Sequence, residues 1–167
     1  WGWDFLKDVA LGESFDLNGD VVVVGGGNVA IDVALTARRL GAKGVQLYCL
    51  ESREEMPAHA WEIARAEEEG VVINNGWGPV AVMGDGTATG LRFQKCESVF
   101  DKEGNFNPLF DAEKTEKYDA AAIILAVGQT ADLGYADGQA AIKADKGRIA
   151  VSETLVTGDA AVFAGGD

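Results

Sequence analysis

The sequence predicts an α/β fold: a parallel sheet with helices on one side and an antiparallel β-meander on the other. Three observations carry this. A β-branched run, Val21-Val22-Val23-Val24, leads straight into three glycines and then into an apolar-periodic segment. Strand-like and helix-like stretches alternate as far as residue 76. Beyond it, shorter strand-like runs are separated by Gly, Asn and Pro.

Taken in order, residues 1–19 are mixed and end in the turn signal Leu17-Asn18-Gly19-Asp20, with WDFLKDVAL as a short entering helix. Residues 20–24 read as a strand buried on both faces, as parallel sheets require. Val29, Val33, Ala37 and Leu40 recur near helical spacing, and Gly41 follows as the stop. Residues 44–50, GVQLYCL, are a second strand, which closes a βαβ unit. A second helix is expected with Pro57 in its first turn, Glu54 and Glu55 at its positive end and Gly70 at its close. Residues 71–74 are the third strand, and the order β-α-β-α-β opens a doubly wound sheet.

Residues 78–118 then read as the meander. Pro79–Met83 and Leu91–Phe100 are its strands, Gly84-Asp85-Gly86 its hairpin turn, and the stretch around Gly104, Asn105, Asn107 and Pro108 a loop. Residues 119–126 return as a buried strand before Gly128. Two more strand-like runs follow, Arg148–Val151 and Ala161–Ala164.

The totals exclude several classes. The 167 residues suffice for one sizeable core, and 47% hydrophobic with 25% charged residues is ordinary for a globular fold. A formal net charge of −13 repels nucleic-acid phosphates. It does not exclude a phosphorylated ligand, because local dipoles act within a Debye length of about 8 Å. No apolar run approaches the ~20 residues that cross a bilayer, so no membrane partner is expected. Cys49 and Cys96 form neither a CxxC pair nor a metal cluster, and read as reduced thiols of a cytoplasmic protein. With His59 as the single histidine, no metal site is expected. The start at Trp1 suggests a piece of a longer protein.

Gly25-Gly26-Gly27-Asn28-Val29-Ala30 fits GxGxxA between a strand and a helix, the mark of a Rossmann-like dinucleotide site. Gly25 turns the chain, Gly27 admits a pyrophosphate to the backbone, and the small Ala30 lets helix and strand pack. Free N–H groups at the helix start, together with its dipole, then face the phosphates. Asn28 either caps the helix or touches phosphate. An acidic residue should stand about 20 residues on, at the second strand's end, to bind the adenine ribose. Glu51 stands there, 21 residues beyond Ala30. Its carboxylate suits a free 2′-OH and repels a 2′-phosphate, which favours NAD(H) over NADP(H). Arg53, two residues on, offers the opposite reading, a 2′-phosphate ligand, or else is a solvated charge.

The segments GGGNVAID, EEMPA, EEEGV, AVGQ and VFAGGD, in this order, resemble the pyridine-nucleotide domain of two-dinucleotide flavoproteins. The likeness is greatest to the glutamate synthase small subunit and its relatives among the pyridine nucleotide-disulfide oxidoreductase-like proteins. It spans nearly the whole chain. It implies an NAD(P)H-binding domain, residues 20–135, inserted into an FAD domain. Residues 1–19 would be the lead-in and 136–167 the return. The FAD domain's own opening βαβ unit would precede Trp1, so this piece alone should hold little FAD. Many relatives carry paired arginines and use NADPH where this chain has Leu50-Glu51. The likeness places Gly128 in a segment closing over the nicotinamide, with Ala131 where a proline often stands, and Gly166 and Asp167 in an FAD-contacting motif. It also implies electrons leaving the flavin for iron–sulfur centres or a partner subunit.

Hydride passage from nicotinamide to flavin needs no protein acid or base, so no catalytic side chain is assigned. Without a CxxC, direct disulfide reduction is not expected, and any cluster would lie elsewhere. His59 reads as a surface or cap residue, Glu67-Glu68-Glu69 as a solvated face, and the four tryptophans as core or interface anchors. Two other functions fit the same motif: a stand-alone NAD-binding redox sensor, and a single-cofactor dehydrogenase, which the lone His59 serves poorly.

Overall fold

The computed structural model describes residues 1–145 and 147–165. The chain divides into two compact units, Trp1–Gly128 and Gln129–Asp167.

The first unit is built on a four-stranded parallel sheet of β1 (Asp20–Val24), β2 (Gly44–Cys49), β3 (Val71–Asn75) and β7 (Ala122–Leu125). Its order is β3-β2-β1-β7. Strand β1 is thus central, which explains its unbroken valines. Alternate residues of a strand face opposite sides. Val21 and Val23 enter a core shared with the helices, whereas Val22 and Val24 enter a second core on the other face. Each valine buried this way contributes about 1.5–3 kcal/mol.

The helical core is closed by α1 (Gly2–Ala10), α2 (Asn28–Arg39) and α3 (Ala60–Glu68), which place Phe5, Ile31, Val33 and Ile63 against it. The opposite face is covered by an antiparallel sheet of β4 (Trp77–Met83), β5 (Gly90–Phe100) and β6 (Phe106–Asp119). Tyr48 of β2 stacks on Phe93 of β5, with ring centroids 3.8 Å apart. Its hydroxyl donates to Glu116 Oε1 at 2.9 Å, and Tyr118 donates to Asp20 Oδ2 at 2.9 Å. Burial first, and then the Glu116 carboxylate, hold the Tyr48 phenol well above its ordinary range. These bonds tie the meander to the parallel sheet, as the predicted fold class requires.

Local boundaries differ from the sequence reading in several places. Helix α3 begins at Ala60, so Glu54, Glu55 and Pro57 lie in the preceding loop. There the backbone N–H groups of Ala58 and His59 are drawn to α2's entrance rather than into a helix. Strand β6 begins at Phe106 and contains Asn107 and Pro108, expected in a loop. It is an edge strand, where a proline's missing donor is tolerated. The loop shrinks to residues 101–105, closed by Asp101 Oδ1, which accepts from Glu103 N and Asn105 N. The return strand is Ala122–Leu125 alone.

The second unit contains a 3₁₀ turn at Gly134–Ala136 and a two-stranded hairpin of β8 (Ala144–Asp145) and β9 (Arg148–Ile149). The expected strand at 161–164 is only a bridge between Val156 and Phe163. A short segment with few apolar neighbours cannot sustain a longer ladder. No helix among the described residues is long and apolar enough to cross a membrane.

Candidate functional site

The glycine turn joins β1 to α2. Gly25 has φ +139°, and a Cβ there would collide with the Ala126 carbonyl at the end of β7. Gly25 N–H donates to Tyr48 O at 2.9 Å, and Ala126 N–H donates to Val24 O at 2.8 Å. The turn is therefore clamped between its two neighbouring strands. Ala30 is fully buried against it, with its Cβ 3.3 Å from where a Gly25 side chain would begin. Val29 packs partly on the core, and its backbone N–H has no acceptor among the described residues.

Gly27 differs from Gly25. Its backbone, φ −89° and ψ 175°, suits any residue, and a Cβ would find nothing nearer than Pro57 Cγ at 4.0 Å. The space above Gly27 is open. Among the described residues no acceptor meets the N–H groups of Gly27, Asn28 or Val29, and α2 has no side-chain cap. Three outward donors at a helix's positive end beside open space make a cradle for a phosphate.

Glu51 and Gly26 come together across the strands. A Cβ on Gly26 would lie 2.7 Å from Glu51 Oε2, so the carboxylate stands over the turn. The Glu51 carbonyl accepts from Asn75 Nδ2 at 3.1 Å and Gly76 N at 3.1 Å, which fixes the strand end. Its carboxylate has no donor among the described residues. A half-buried, unpaired carboxylate facing a glycine turn is a ready acceptor for a hydroxyl.

Arg53 is an exposed residue of the loop after β2. Its guanidinium grips Glu67 of α3 with both forks, at 2.8 and 2.7 Å. The acidic run is correspondingly not a simple solvated face, because Glu69 also binds Arg39 and Arg65. Asn28 donates to none of the described residues. Its Oδ1 accepts from His59 N at 3.0 Å, leaving its amide nitrogen available. His59 is the N-cap of α3, exposed, with its ring stacked on Trp61. Gly128 is exposed, two residues beyond the Ala126 carbonyl that abuts Gly25. Gly166 and Asp167 lie outside the described residues.

Sequence reasoning missed the loop that completes this site. Met56 and Ala58 are buried in the helical core, and Ala58 N–H donates to Gly26 O at 3.2 Å. The Met-Pro-Ala motif thus works as a strap under the glycine turn, not as a helix start. The signal was Pro57 flanked by two small or apolar residues that the core could take.

Cys49 lies behind the turn, accepting from Asn75 Nδ2 at 3.3 Å. Burial foremost pushes its thiol up to about 12. It stays protonated and inert at neutral pH, as a structural cysteine does. Among the described residues no cluster of His, Cys, Asp and Glu is placed to hold a metal ion.

Residues 4–167 match the family model described as pyridine nucleotide-disulphide oxidoreductase. The chain is 40% identical over 99% of its length to the NADP(+)-dependent formate dehydrogenase subunit beta of Moorella thermoacetica, covering 24% of that protein. It is 34% identical over 88% to the glutamate synthase [NADPH] small chain of Azospirillum brasilense, covering 31%. It is 36% identical over 87% to the NAD-dependent dihydropyrimidine dehydrogenase subunit PreT of Escherichia coli, covering 30%. Thus the chain spans about a quarter to a third of the curated relatives it matches. Among solved structures, T. acidophilum thioredoxin reductase superposes with a TM-score of 0.73 at 18% identity, over 97% of this chain and 47% of that one. This last likeness concerns the fold.

Proposed function

Because the chain belongs to the pyridine nucleotide-disulphide oxidoreductase family, we propose that it is the NAD(P)H-binding domain of a cytoplasmic, FAD-dependent oxidoreductase. The single observation that carries this is the Gly27 cradle: open space faced by unpaired N–H groups at the start of α2. In this reading the N–H groups of Gly27, Asn28 and Val29 hold the pyrophosphate. Gly25, Gly26 and Ala30 shape the turn, and Gly128 lies toward the nicotinamide. When bound, the coenzyme supplies a hydride to the flavin of the adjoining domain. The chain's own part is to hold the diphosphate, orient the dinucleotide through its ribose and keep water from the reacting face. It needs no acid or base, and no side chain is assigned one.

Residues 1–19 and 136–167 are read as crossings to and from the FAD domain, with Gly166 and Asp167 as flavin contacts. The electrons go on to an iron–sulfur or other accepting domain or subunit. The relatives' names include subunits and small chains, which supports such an assembly. An NAD-sensing module without chemistry would need the same turn, and family membership weighs against it.

The relatives' names do not favour NADH, since two specify NADP(H) and one NAD. Our preference for NADH rests on the Glu51 carboxylate beside Gly26, which suits a ribose diol and repels a 2′-phosphate. Titrating the intact protein with each coenzyme tests it. Glu51→Arg should move the affinity ratio toward NADPH by about 10-fold or more, equivalent to about 1.4 kcal/mol. An unchanged ratio would remove Glu51 from the ribose site.

A further inference from the structure

Two donors of the kind that bind a phosphate, the Ser52 N–H and the Arg53 guanidinium, lie one and two residues past Glu51, and this chain already occupies both with its own acids. Arg53 presents both forks to Glu67, at 2.8 and 2.7 Å, the geometry in which guanidinium binds carboxylate or phosphate bidentately. The backbone N–H of Ser52 donates to Glu55 Oε2 at 3.1 Å. Both sit in a loop that is fixed at its two ends to the glycine turn and to the strand end that carries Glu51. The loop is pinned at one end by the Glu51 carbonyl to Asn75 and Gly76. At the other it is pinned by Ala58 N to Gly26 O and His59 N to Asn28 Oδ1.

We propose that Glu67 and Glu55 are specificity-determining residues that hold Arg53 and the Ser52 N–H as internal stand-ins for a 2′-phosphate, so that NADPH must displace them while NADH need not. The inference rests on the dinucleotide reading of the glycine turn and deepens it. A 2′-phosphate brings up to two negative charges and three acceptor oxygens, and competes for the same donors. The competition is winnable, because exposed pairs of this kind are weak, worth at most about a five-fold factor. The Arg53 and Glu67 side chains are 41% and 46% exposed. The result is a site that selects against NADPH by a modest factor, and whose selectivity is set from α3 by a residue that need not touch the coenzyme. Glu67 is in this sense a positioning residue acting through Arg53.

The test uses the intact protein and reads dissociation constants for NADH and NADPH by titration, which needs no turnover. Glu67→Gln should tighten NADPH by about 3- to 10-fold, from the released guanidinium and the lost negative charge. NADH affinity should stay within about two-fold, because its 2′-OH makes no demand on Arg53. Adding Glu55→Gln should increase the effect, and adding Arg53→Ala should cancel the part due to Glu67. A general structural role would alter both coenzymes together and would not depend on Arg53. If Glu67→Gln with Glu55→Gln leaves NADPH binding unchanged while NADH still binds and Gly27→Val abolishes it, this proposal falls and the dinucleotide site stands. Should Gly27→Val leave both coenzymes bound as before, the dinucleotide reading falls and takes the proposal with it.

Discussion

Two glycine turns of this chain look alike in sequence and differ in what they lead into. Gly25 to Gly27 joins β1 to α2, and Gly84 to Gly90 joins β4 to β5. In both, the first glycine takes a backbone denied to other residues, φ +139° at Gly25 and +120° at Gly84. In both, a Cβ would strike a backbone carbonyl, that of Ala126 or that of Thr87. The hairpin is closed by Thr89 N–H donating to Met83 O at 2.8 Å and is tied to the segment after β6 by Ala120 N–H donating to Thr89 O at 2.9 Å. The strand-to-helix turn gathers its three unpaired N–H groups at the start of α2, with open space above Gly27. Glycine content therefore marks both bends. Unpaired N–H groups and open space occur in both, since Gly86 also has nothing near it; what separates the turns is that only the first gathers its donors at a helix's positive end.

That contrast can be broken by three substitutions, ranked by their cost to the fold. Gly25→Val meets strain and a backbone collision at the sheet's centre, so it should lose several kcal/mol, about 4 or more. Denaturant melting would show it, and near-native stability would mean that the clamp by Ala126 is not rigid. Gly84→Ala places the same conflict at an exposed hairpin that can shift, for about 2 kcal/mol. Melting should fall, while coenzyme affinity in the intact protein stays unchanged. A parallel loss of affinity would tie the meander to binding and blur the distinction. Gly27→Val should cost the fold least, about 1 kcal/mol or less, because its backbone is extended and its surroundings open. Coenzyme affinity should nonetheless drop by at least about 10-fold, as the side chain fills the space a diphosphate needs. Stability and binding would then rank these positions in different orders, which a purely structural turn could not produce.

Much of this was legible from residue order. The central strand showed in its valines, because a strand covered on both faces has no polar side to write. The glycine spacing and the carboxylate 21 residues beyond Ala30 gave the turn and its partner. Glu51 does stand over Gly26. Less legible was the stretch from Arg53 to His59. Proline and acids before an apolar-periodic run read as a helix start, yet Met56 and Ala58 were claimed by the core and Ala58 N–H by Gly26 O. Strand β6 was hidden for a related reason. Its Asn107 and Pro108 look like loop residues and are admitted only because the strand lies at an edge.

By itself, then, the sequence determined the layers of the sheet, the place of the bend and the residue types around it. These depend on periodicity and on side-chain size over a few neighbouring positions. Only the tertiary structure decided which donors remain open and which are already taken. Arg53 is held by Glu67 on a following helix, the His59 N–H by Asn28 Oδ1 across the loop, and the N–H groups of Gly27 and Val29 by nothing in the described chain. A hydrogen bond goes to whichever acceptor packing brings within about 3 Å. Here that acceptor is set by how α2, α3 and the strap between them meet.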